Sequence, residues 1–282
     1  MGKASANLRV RYLKKSTVND RRDVTNIVVA VKYVPDAAGD RSFKSDYTAD
    51  REAVDGLLSE LDEYAVEQAL QIVEAGDGEV TAITVGPADA SDALRKALQM
   101  GATSAVHVED DAIAGSDVFA TSLVLAEAIK KLDYDIVLFG MASTDGGGGI
   151  VPTLVAERLG LPALTFASKL EVDGSTVRIR RDGDTAVQEI EASTPVVVSV
   201  TDQTDEARYP SFKGIMAAKK KKVEQWSLGD LGLRADQVGL DHAWTKVEAA
   251  DKRPQRTVGE IVTDEGDGGV KLVDFLTTNK FI

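Results

Sequence analysis

The stretch Val80–Gly101, VTAITVGPADASDALRKALQMG, contains the unit that decides the fold. Its first part, Val80–Val85, is made of β-branched and small residues and predicts a buried strand, which a Gly-Pro pair closes. The next part, Ala90–Met100, has the apolar spacing of a helix that ends at a glycine. A strand, a tight turn and a helix in this order are typical of a sheet with helices on its faces.

The same unit recurs along the chain. Further strands are predicted at Ile27–Lys32, Ala105–Val108 and Ile136–Phe139, and further helices at Leu57–Glu74, at Asp117–Lys131 with a cap near Ser116, and at about 150–159. This alternation predicts an α/β fold with a doubly wound, mostly parallel sheet. Ligands bind such sheets at the carboxyl ends of the strands, which places Ala30–Lys32, Val85–Pro87 and Gly140–Val151 at one edge.

The pattern changes after Pro162. Four strand-like segments follow, at Leu170–Val172, Val177–Arg181, Ala186–Ile190 and Val196–Thr201. Asp-Gly pairs at 173–174 and 182–183 are typical of hairpin turns. We therefore predict an antiparallel extension of the sheet.

The two ends of the chain lack this order. Residues 1–24 are basic with little apolar periodicity, which indicates a disordered arm, a transit-like extension or an upstream start assigned in error. Residues 224–282 also lack sustained periodicity, which indicates an extended arm that lies on a partner. The central domain is therefore expected to span residues 25–223.

Composition excludes several classes of function. The 282 residues carry a net charge of −13, which argues against general nucleic-acid binding. Cysteine is absent and the two histidines, His107 and His242, lie in unrelated segments, so we expect no metal site and no catalytic triad. No apolar run approaches the length needed to span a bilayer and no signal-peptide pattern is present, so we expect a cytoplasmic protein without stable membrane insertion. The many aspartates fit a salt-loving source or an ordinary acidic protein.

The loop Gly140–Val151, GMASTDGGGGIV, is the best candidate for a ligand site. It lies between a predicted strand and a predicted helix, and its four successive glycines allow backbone N–H groups to approach an anion. No Lys-Ser or Lys-Thr pair follows the glycines, which argues against a P-loop that hydrolyses ATP. A flexible surface turn is the alternative interpretation.

A second motif, RYPSFKGIMAAKKKK at Arg208–Lys222, inverts the charge of an otherwise acidic chain. Phe212, Ile215 and Met216 share one face of a predicted short helix, and Lys219–Lys222 follow at its end. The motif is either an ordinary helix with a solvated basic end or a docking element for an acidic partner.

This motif resembles the recognition loop of the β subunits of electron transfer flavoproteins, which has the pattern RYP-[ST]-x-x-x-IM-x-AKKK. The resemblance extends from about Asn26 to about Phe281 and includes the strings AVK, TVGP and PQRT. It implies an adenine nucleotide alpha hydrolase-like, Rossmann-like fold in a heterodimer with an α subunit. It also implies an electron carrier rather than an enzyme, which binds AMP structurally. Electrons would pass from acyl-CoA-type dehydrogenases of fatty acid oxidation, through an FAD shared with the α subunit, to a quinone oxidoreductase.

The resemblance also implies the residues of the nucleotide site. The AMP contacts transfer to Ala30, Ser59, Leu61, Asp62, Val85, Gly140, Asp145, Gly146, Gly147, Gly148, Gly149, Ile150 and Val151. This chain has Ser59-Glu60-Leu61 where members often have Asn-Pro-Phe, and glycines where many have an Asn-Gln-Thr stretch. A backbone cradle is therefore the expected mode of binding.

Partner recognition is assigned by the same resemblance to the loop at 208–217 and to the C-terminal arm. The implied recognition residues are Arg208, Tyr209, Pro210, Ser211, Phe212, Ile215 and Met216. Phe212 is expected at the tip as an anchor for donor dehydrogenases. Arg256, in the PQRT string, is the candidate contact with the α subunit. Asp182 aligns with an acidic residue that the family uses when its flavin domain moves, and turn chemistry is its alternative role.

Two other functions stay open at this point. An electron-bifurcating relative would hold a second FAD in place of AMP, but its loop usually resembles DGDTAQVGP, whereas this chain has DGGGGIVP. A stand-alone adenine-nucleotide protein of the universal-stress type would have neither the recognition loop nor the long arm.

Overall fold

The computed structural model describes residues 8–12, 25–251, 254, 259 and 261–282. The chain forms two compact units, Met1–Glu248 and Ala249–Ile282. The strands are β1 (Leu8–Tyr12), β2 (Ile27–Ala30), β3 (Tyr33–Pro35), β4 (Gly56–Leu58), β5 (Val80–Val85), β6 (Ser104–Val108), β7 (Ile136–Gly140), β8 (Ala163–Ala167), β9 (Lys169–Asp173), β10 (Thr176–Asp182), β11 (Val187–Ser193), β12 (Val196–Val200) and β13 (Val223–Trp226). The helices are α1 (Glu60–Ala75), α2 (Ser91–Met100), α3 (Val118–Ile129), α4 (Val151–Leu159), α5 (Phe212–Ala218) and α6 (Gly268–Thr278).

The central sheet has seven parallel strands in the order β13-β6-β5-β2-β7-β12-β8. Helices cover both of its faces, so its inner strands are buried on both sides. In β2, Ile27 and Val29 belong to the core beneath α1 and α2. The alternate residues Val28 and Ala30 belong to the core beneath α3 and α4. The predicted doubly wound α/β fold is confirmed.

The predicted antiparallel extension is correct for three strands and wrong for the fourth. Strands β9, β10 and β11 pair antiparallel in a separate four-stranded sheet, which β1 joins in parallel to β11. The fourth segment is β12, a central parallel strand between β7 and β8. All of β12 is buried, whereas β10 alternates between buried and exposed residues over much of its length. A continuous apolar run is typical of a strand covered on both faces, and this difference separates the two sheets.

Several element boundaries differ from the sequence prediction. Helix α1 begins at Glu60 rather than Leu57, because β4 pairs with β3 just before it. The cap of α3 is Asp117 rather than Ser116, since the Asp117 carboxylate accepts hydrogen bonds from the first backbone N–H groups of the helix. Strand β13 pairs with β6, so the segment that begins at Glu224 starts inside the central sheet.

The second unit contains α6, which the sequence pattern did not predict. None of its residues is buried within the described chain, and Val270, Leu272, Val273 and Phe275 are exposed. The proposed contact residue Arg256 lies outside the described residues. In the part of the chain that the structure describes, no helix is long and apolar enough to cross a membrane.

Candidate functional site

The topological switch point of the sheet lies between β2 and β7. After β2 the chain passes through α1 to β5 on one side, and after β7 it passes through α4 to β8 on the other side. The connections that follow these two adjacent strands therefore diverge and leave an opening, which is where doubly wound sheets bind ligands. The predicted site residues Ala30, Val85 and Gly140 end the neighbouring strands β2, β5 and β7.

Asp62 joins the first turn of α1 to both strands at this opening. Its Oδ2 accepts a hydrogen bond from the backbone N–H of Lys32 (2.9 Å), and its Oδ1 accepts one from Gly140 (3.2 Å). Burial raises the pKa of Asp62 to about 7, although both amide hydrogen bonds act in the opposite direction. A Cβ on Gly140 would lie 2.5 Å from Asp62 Oδ1 and 2.7 Å from the backbone oxygen of Leu61, so only glycine fits there.

Asp145 holds two cations at the start of the glycine loop. Its Oδ1 accepts a hydrogen bond from Lys32 Nζ (2.9 Å), and its Oδ2 accepts one from Arg51 Nη2 (2.6 Å). Burial raises the pKa of Asp145, but Lys32, Ser143 and Arg51 together outweigh burial and hold that pKa well below its usual range. The carboxylate is therefore ionised at neutral pH, and two positive charges surround one negative charge.

Both cations keep part of their surface in solvent. The side chain of Lys32 is 42% exposed and that of Arg51 is 37% exposed, whereas that of Asp145 is 6% exposed. Lys32 Nζ also lies 3.3 Å from Ser143 Oγ. The buried Asp145 carboxylate thus holds both cations in place, and part of each cation is exposed to solvent beside the loop.

Two of the glycines that follow Asp145 adopt a left-handed backbone conformation. Gly147 and Gly149 have φ values of 60° and 61°, in the left-handed region that favours glycine. A Cβ on Gly149 would also lie 3.2 Å from the ring of Phe166. Among the described residues, no acceptor pairs with the N–H groups of Gly148 and Gly149. These amides and the start of α4 are free for an anion, as a phosphate site requires.

The remaining predicted site residues lie around this loop. Ser59 is the residue before α1, and its buried Oγ has no hydrogen-bond partner among the described residues. Leu61 contributes its backbone oxygen beside Gly140, and Ile150 precedes α4 at Val151. The opening is thus built from the ends of three strands, the first turn of α1 and the glycine loop.

Sequence reasoning placed Lys32 at the binding edge without assigning it a ligand contact, and it missed Arg51. A lysine directly after a strand, at the edge where ligands bind, was a usable signal for Lys32. No comparable signal marked Arg51, because it lies in an irregular segment and reaches Asp145 only through the tertiary fold.

The recognition segment is fastened to α1 by Arg208. Arg208 Nε donates to Glu67 Oε2 (2.7 Å), and Nη2 donates to Glu67 Oε1 (3.0 Å) and Glu74 Oε2 (2.9 Å). Hydrogen bonds to Glu74 and Glu67 raise the pKa of the Arg208 guanidinium further above its already high value. Arg208 therefore serves as an internal anchor, and its charge is already paired within this chain.

Beyond this anchor, the segment exposes apolar side chains. Ser211 Oγ accepts a hydrogen bond from Gly214 N (3.0 Å) and so begins α5, in agreement with the predicted short helix. Gly214 packs closely on α2, because a Cβ there would lie 2.4 Å from the backbone oxygen of Gln99. Tyr209 is 87% exposed and Phe212 is 80% exposed.

The rest of the motif is divided between packing and solvent. Met216 is exposed, whereas Pro210 and Ile215 are partly buried. Lys221 Nζ donates to backbone oxygens at the end of α2, including that of Ala102, so this lysine caps a helix. Burial lowers the pKa of Lys221. The lysine run is therefore only partly a solvated basic end.

A second opening lies at the carboxyl ends of β7, β8 and β12. It has a volume of about 380 Å³ and is lined by Met141, Phe166, Ser168, Arg181, Asp182, Thr201, Asp202 and Gln203. Asp182 accepts hydrogen bonds from Ser168 Oγ (2.5 Å) and Arg180 Nε (2.9 Å), which hold its pKa below the usual range. Within the described residues, no group of three or more His, Cys, Asp or Glu side chains is placed to hold a metal ion.

Comparison with known proteins gives consistent similarities. The family profile described as the electron transfer flavoprotein domain matches residues 47–231. The electron transfer flavoprotein subunit beta of Mycobacterium leprae is 47% identical over 266 residues, which cover 92% of this chain and 100% of the relative. The protein of the same name from Clostridium acetobutylicum is 37% identical over 237 residues, which cover 84% of this chain and 92% of the relative.

Proposed function

Because this chain belongs to the β subunits of the electron transfer flavoprotein family, we propose that it forms a heterodimer with an α subunit and shares an FAD with it. In this complex, electrons pass from acyl-CoA-type dehydrogenases through the FAD to a quinone oxidoreductase. The FAD supplies the redox chemistry when bound, and this chain supplies binding and orientation.

The switch-point opening is proposed to hold AMP in a structural role. The observation that carries this proposal is the pair of cations, Lys32 and Arg51, that Asp145 holds beside free backbone amides. Cations and amides together suit a phosphate group. The strand ends at Ala30 and Val85 border the same opening, and we propose that they face the nucleoside.

The segment at 208–217 is proposed to dock the electron donor. Tyr209 and Phe212 project from a segment that Arg208 ties to α1, so they are presented on a rigid base. Exposed aromatic side chains on a fixed support are typical anchors of protein interfaces. Lys219 and Lys220 are exposed beside them and would attract an acidic partner surface.

The second unit is proposed to lie on the α subunit. Helix α6 exposes four large apolar side chains, and an apolar surface of this kind is typical of a protein contact. As the sequence analysis expected, the C-terminal arm is thus proposed to lie on a partner, although the first residues of the arm belong to the central sheet.

The experiment that tests the function is purification of the tagged chain from its host under gentle conditions, followed by quantification of everything bound to it. One larger subunit, one FAD and one AMP in each complex are expected. Two FAD molecules without AMP would replace this proposal by electron bifurcation. Nucleotide without a partner subunit or flavin would contradict the electron carrier.

A further inference from the structure

The segment between β3 and β4, residues 36–55, reaches the glycine loop through two arginines. Arg41 Nη1 donates to the backbone oxygen of Thr144 (2.9 Å), and Arg51 Nη2 donates to the carboxylate of Asp145 (2.6 Å). Most of the segment is exposed, and it makes local turns such as those at Asp36 and Asp46. The two arginines therefore connect an otherwise peripheral segment to the proposed phosphate site.

Of the two arginines, Arg51 alone pairs with a carboxylate that already has a cation. Lys32 supplies one positive charge to Asp145, and Arg51 supplies a second. The other carboxylate at the opening, Asp62, accepts from two backbone amides, and burial keeps it partly protonated near neutral pH. Lys32 and Arg51 together therefore carry more positive charge than the Asp145 carboxylate neutralises. This excess of positive charge favours the binding of an additional anion.

Arg51 has donors to spare for such an anion. A guanidinium has five N–H donors. Arg51 gives one to Asp145, and Nη1 makes a longer contact with the backbone oxygen of Tyr33 (3.4 Å). The Arg51 side chain is 37% exposed, so the protein does not enclose it. Arg51 can therefore hold Asp145 and a phosphate oxygen at the same time.

We propose that Arg51 is a specificity-determining residue of the nucleotide site, which donates to the phosphate of the bound nucleotide while Asp145 holds the guanidinium in place. The inference rests on the proposed nucleotide site and adds a residue from outside the strand ends and the loop. Through Arg51, the segment at 36–55 would contact the phosphate when a nucleoside monophosphate binds. A nucleoside without phosphate gains nothing from Arg51.

The test measures AMP and adenosine binding by equilibrium dialysis, with the nucleotide-depleted complex of the full chain and its partner. Arg51→Gln should weaken AMP binding by about ten-fold or more, because a hydrogen bond to a charged group is lost, and should leave adenosine binding unchanged. Arg41→Gln is the matched control, since Arg41 contacts the same loop through the backbone oxygen of Thr144 and is not proposed to contact the phosphate. It should change neither affinity by more than about two-fold.

A double variant separates contact with the phosphate from an effect through Asp145. In an Asp145→Asn background, where the amide oxygen can still accept a hydrogen bond from the Arg51 guanidinium and keep it beside the loop, Arg51→Gln should still weaken AMP binding relative to adenosine. No further loss in that background would show that Arg51 only positions Asp145, and equal weakening of AMP and adenosine would show a general structural role; either result overturns the inference. If the wild-type complex binds neither ligand, the nucleotide site itself is overturned. If it binds AMP and Arg51→Gln has no effect, only the role of Arg51 is overturned.

Discussion

The glycine loop and the recognition segment both depend on an arginine that meets carboxylates, but they use its charge differently. Arg51 shares Asp145 with Lys32, so positive charge is in excess and faces the opening. Arg208 meets two carboxylates, Glu67 and Glu74, so its charge is consumed and the segment beyond it exposes aromatic side chains. The ratio of cations to carboxylates thus distinguishes the two regions. The glycine loop has more cations than carboxylates and suits an anion, whereas Arg208 is fully paired and supports a segment that exposes an apolar anchor.

The largest effect on stability is expected at Gly140, where no side chain fits. Gly140→Val should lower the free energy of unfolding by about 3 kcal/mol or more and abolish AMP binding, because the new side chain would displace Asp62 and the backbone of Leu61. Chemical denaturation measures this loss. Gly148→Ala is the control, because its Cβ meets only the Ile150 side chain at 4.0 Å, and it should be nearly neutral. Similar stability for both variants would contradict this packing.

The anchor of the recognition segment should give the next largest effect. Arg208→Ala should cost about 2–3 kcal/mol, because Glu67 is left as a largely buried carboxylate without its cation. Hydrogen exchange of the backbone amides of α5 should become faster. Arg178→Ala, which breaks exposed ion pairs in the second sheet, should change the stability by less than about 0.5 kcal/mol. Unchanged exchange in α5 would show that Arg208 does not hold the segment.

The buried carboxylate of the switch point should appear in the pH dependence of stability. Folding raises the pKa of Asp62 from its ordinary value near 4 to about 7, so the folded state binds more protons in this range. Its contribution to stability is fully present below about pH 4 and is lost as the pH rises to about 7. Asp62→Asn should remove a slope of up to about 1.4 kcal/mol per pH unit. Parallel stability profiles of wild type and variant would contradict the raised pKa.

The smallest effect on stability is expected at the exposed tip. Phe212→Ala should change the free energy of unfolding by less than about 0.5 kcal/mol and leave FAD and AMP bound, because the side chain is almost free of the domain. Reduction of the complex by an acyl-CoA-type dehydrogenase should slow by about ten-fold. Phe43→Ala is a control with an exposed aromatic in another segment, and it should leave the rate unchanged. Equal rates for wild type and Phe212→Ala would show that Phe212 does not anchor the donor.

Local pattern was sufficient where one periodicity dominated. The strand–turn–helix unit at Val80–Gly101 was correctly predicted because its strand is a short buried apolar run and its helix has an apolar face of helical period. Pattern was insufficient for Val196–Val200, because a strand's apolar run does not indicate which neighbour it pairs with. The edge strand at Val223–Trp226 was missed because none of its residues is fully buried and two are exposed.

The sequence by itself determined the doubly wound class, the family, the glycine loop and the short helix of the recognition segment, because each depends on residues that are neighbours along the chain. Only the tertiary structure decided that Arg51 and Asp145, 94 residues apart, share a hydrogen bond, and that Arg208 is paired with Glu67 across 141 residues. The physical reason is that a charge acquires its role from what surrounds it. Burial and opposite charge come from chain segments that meet only when the sheet is assembled.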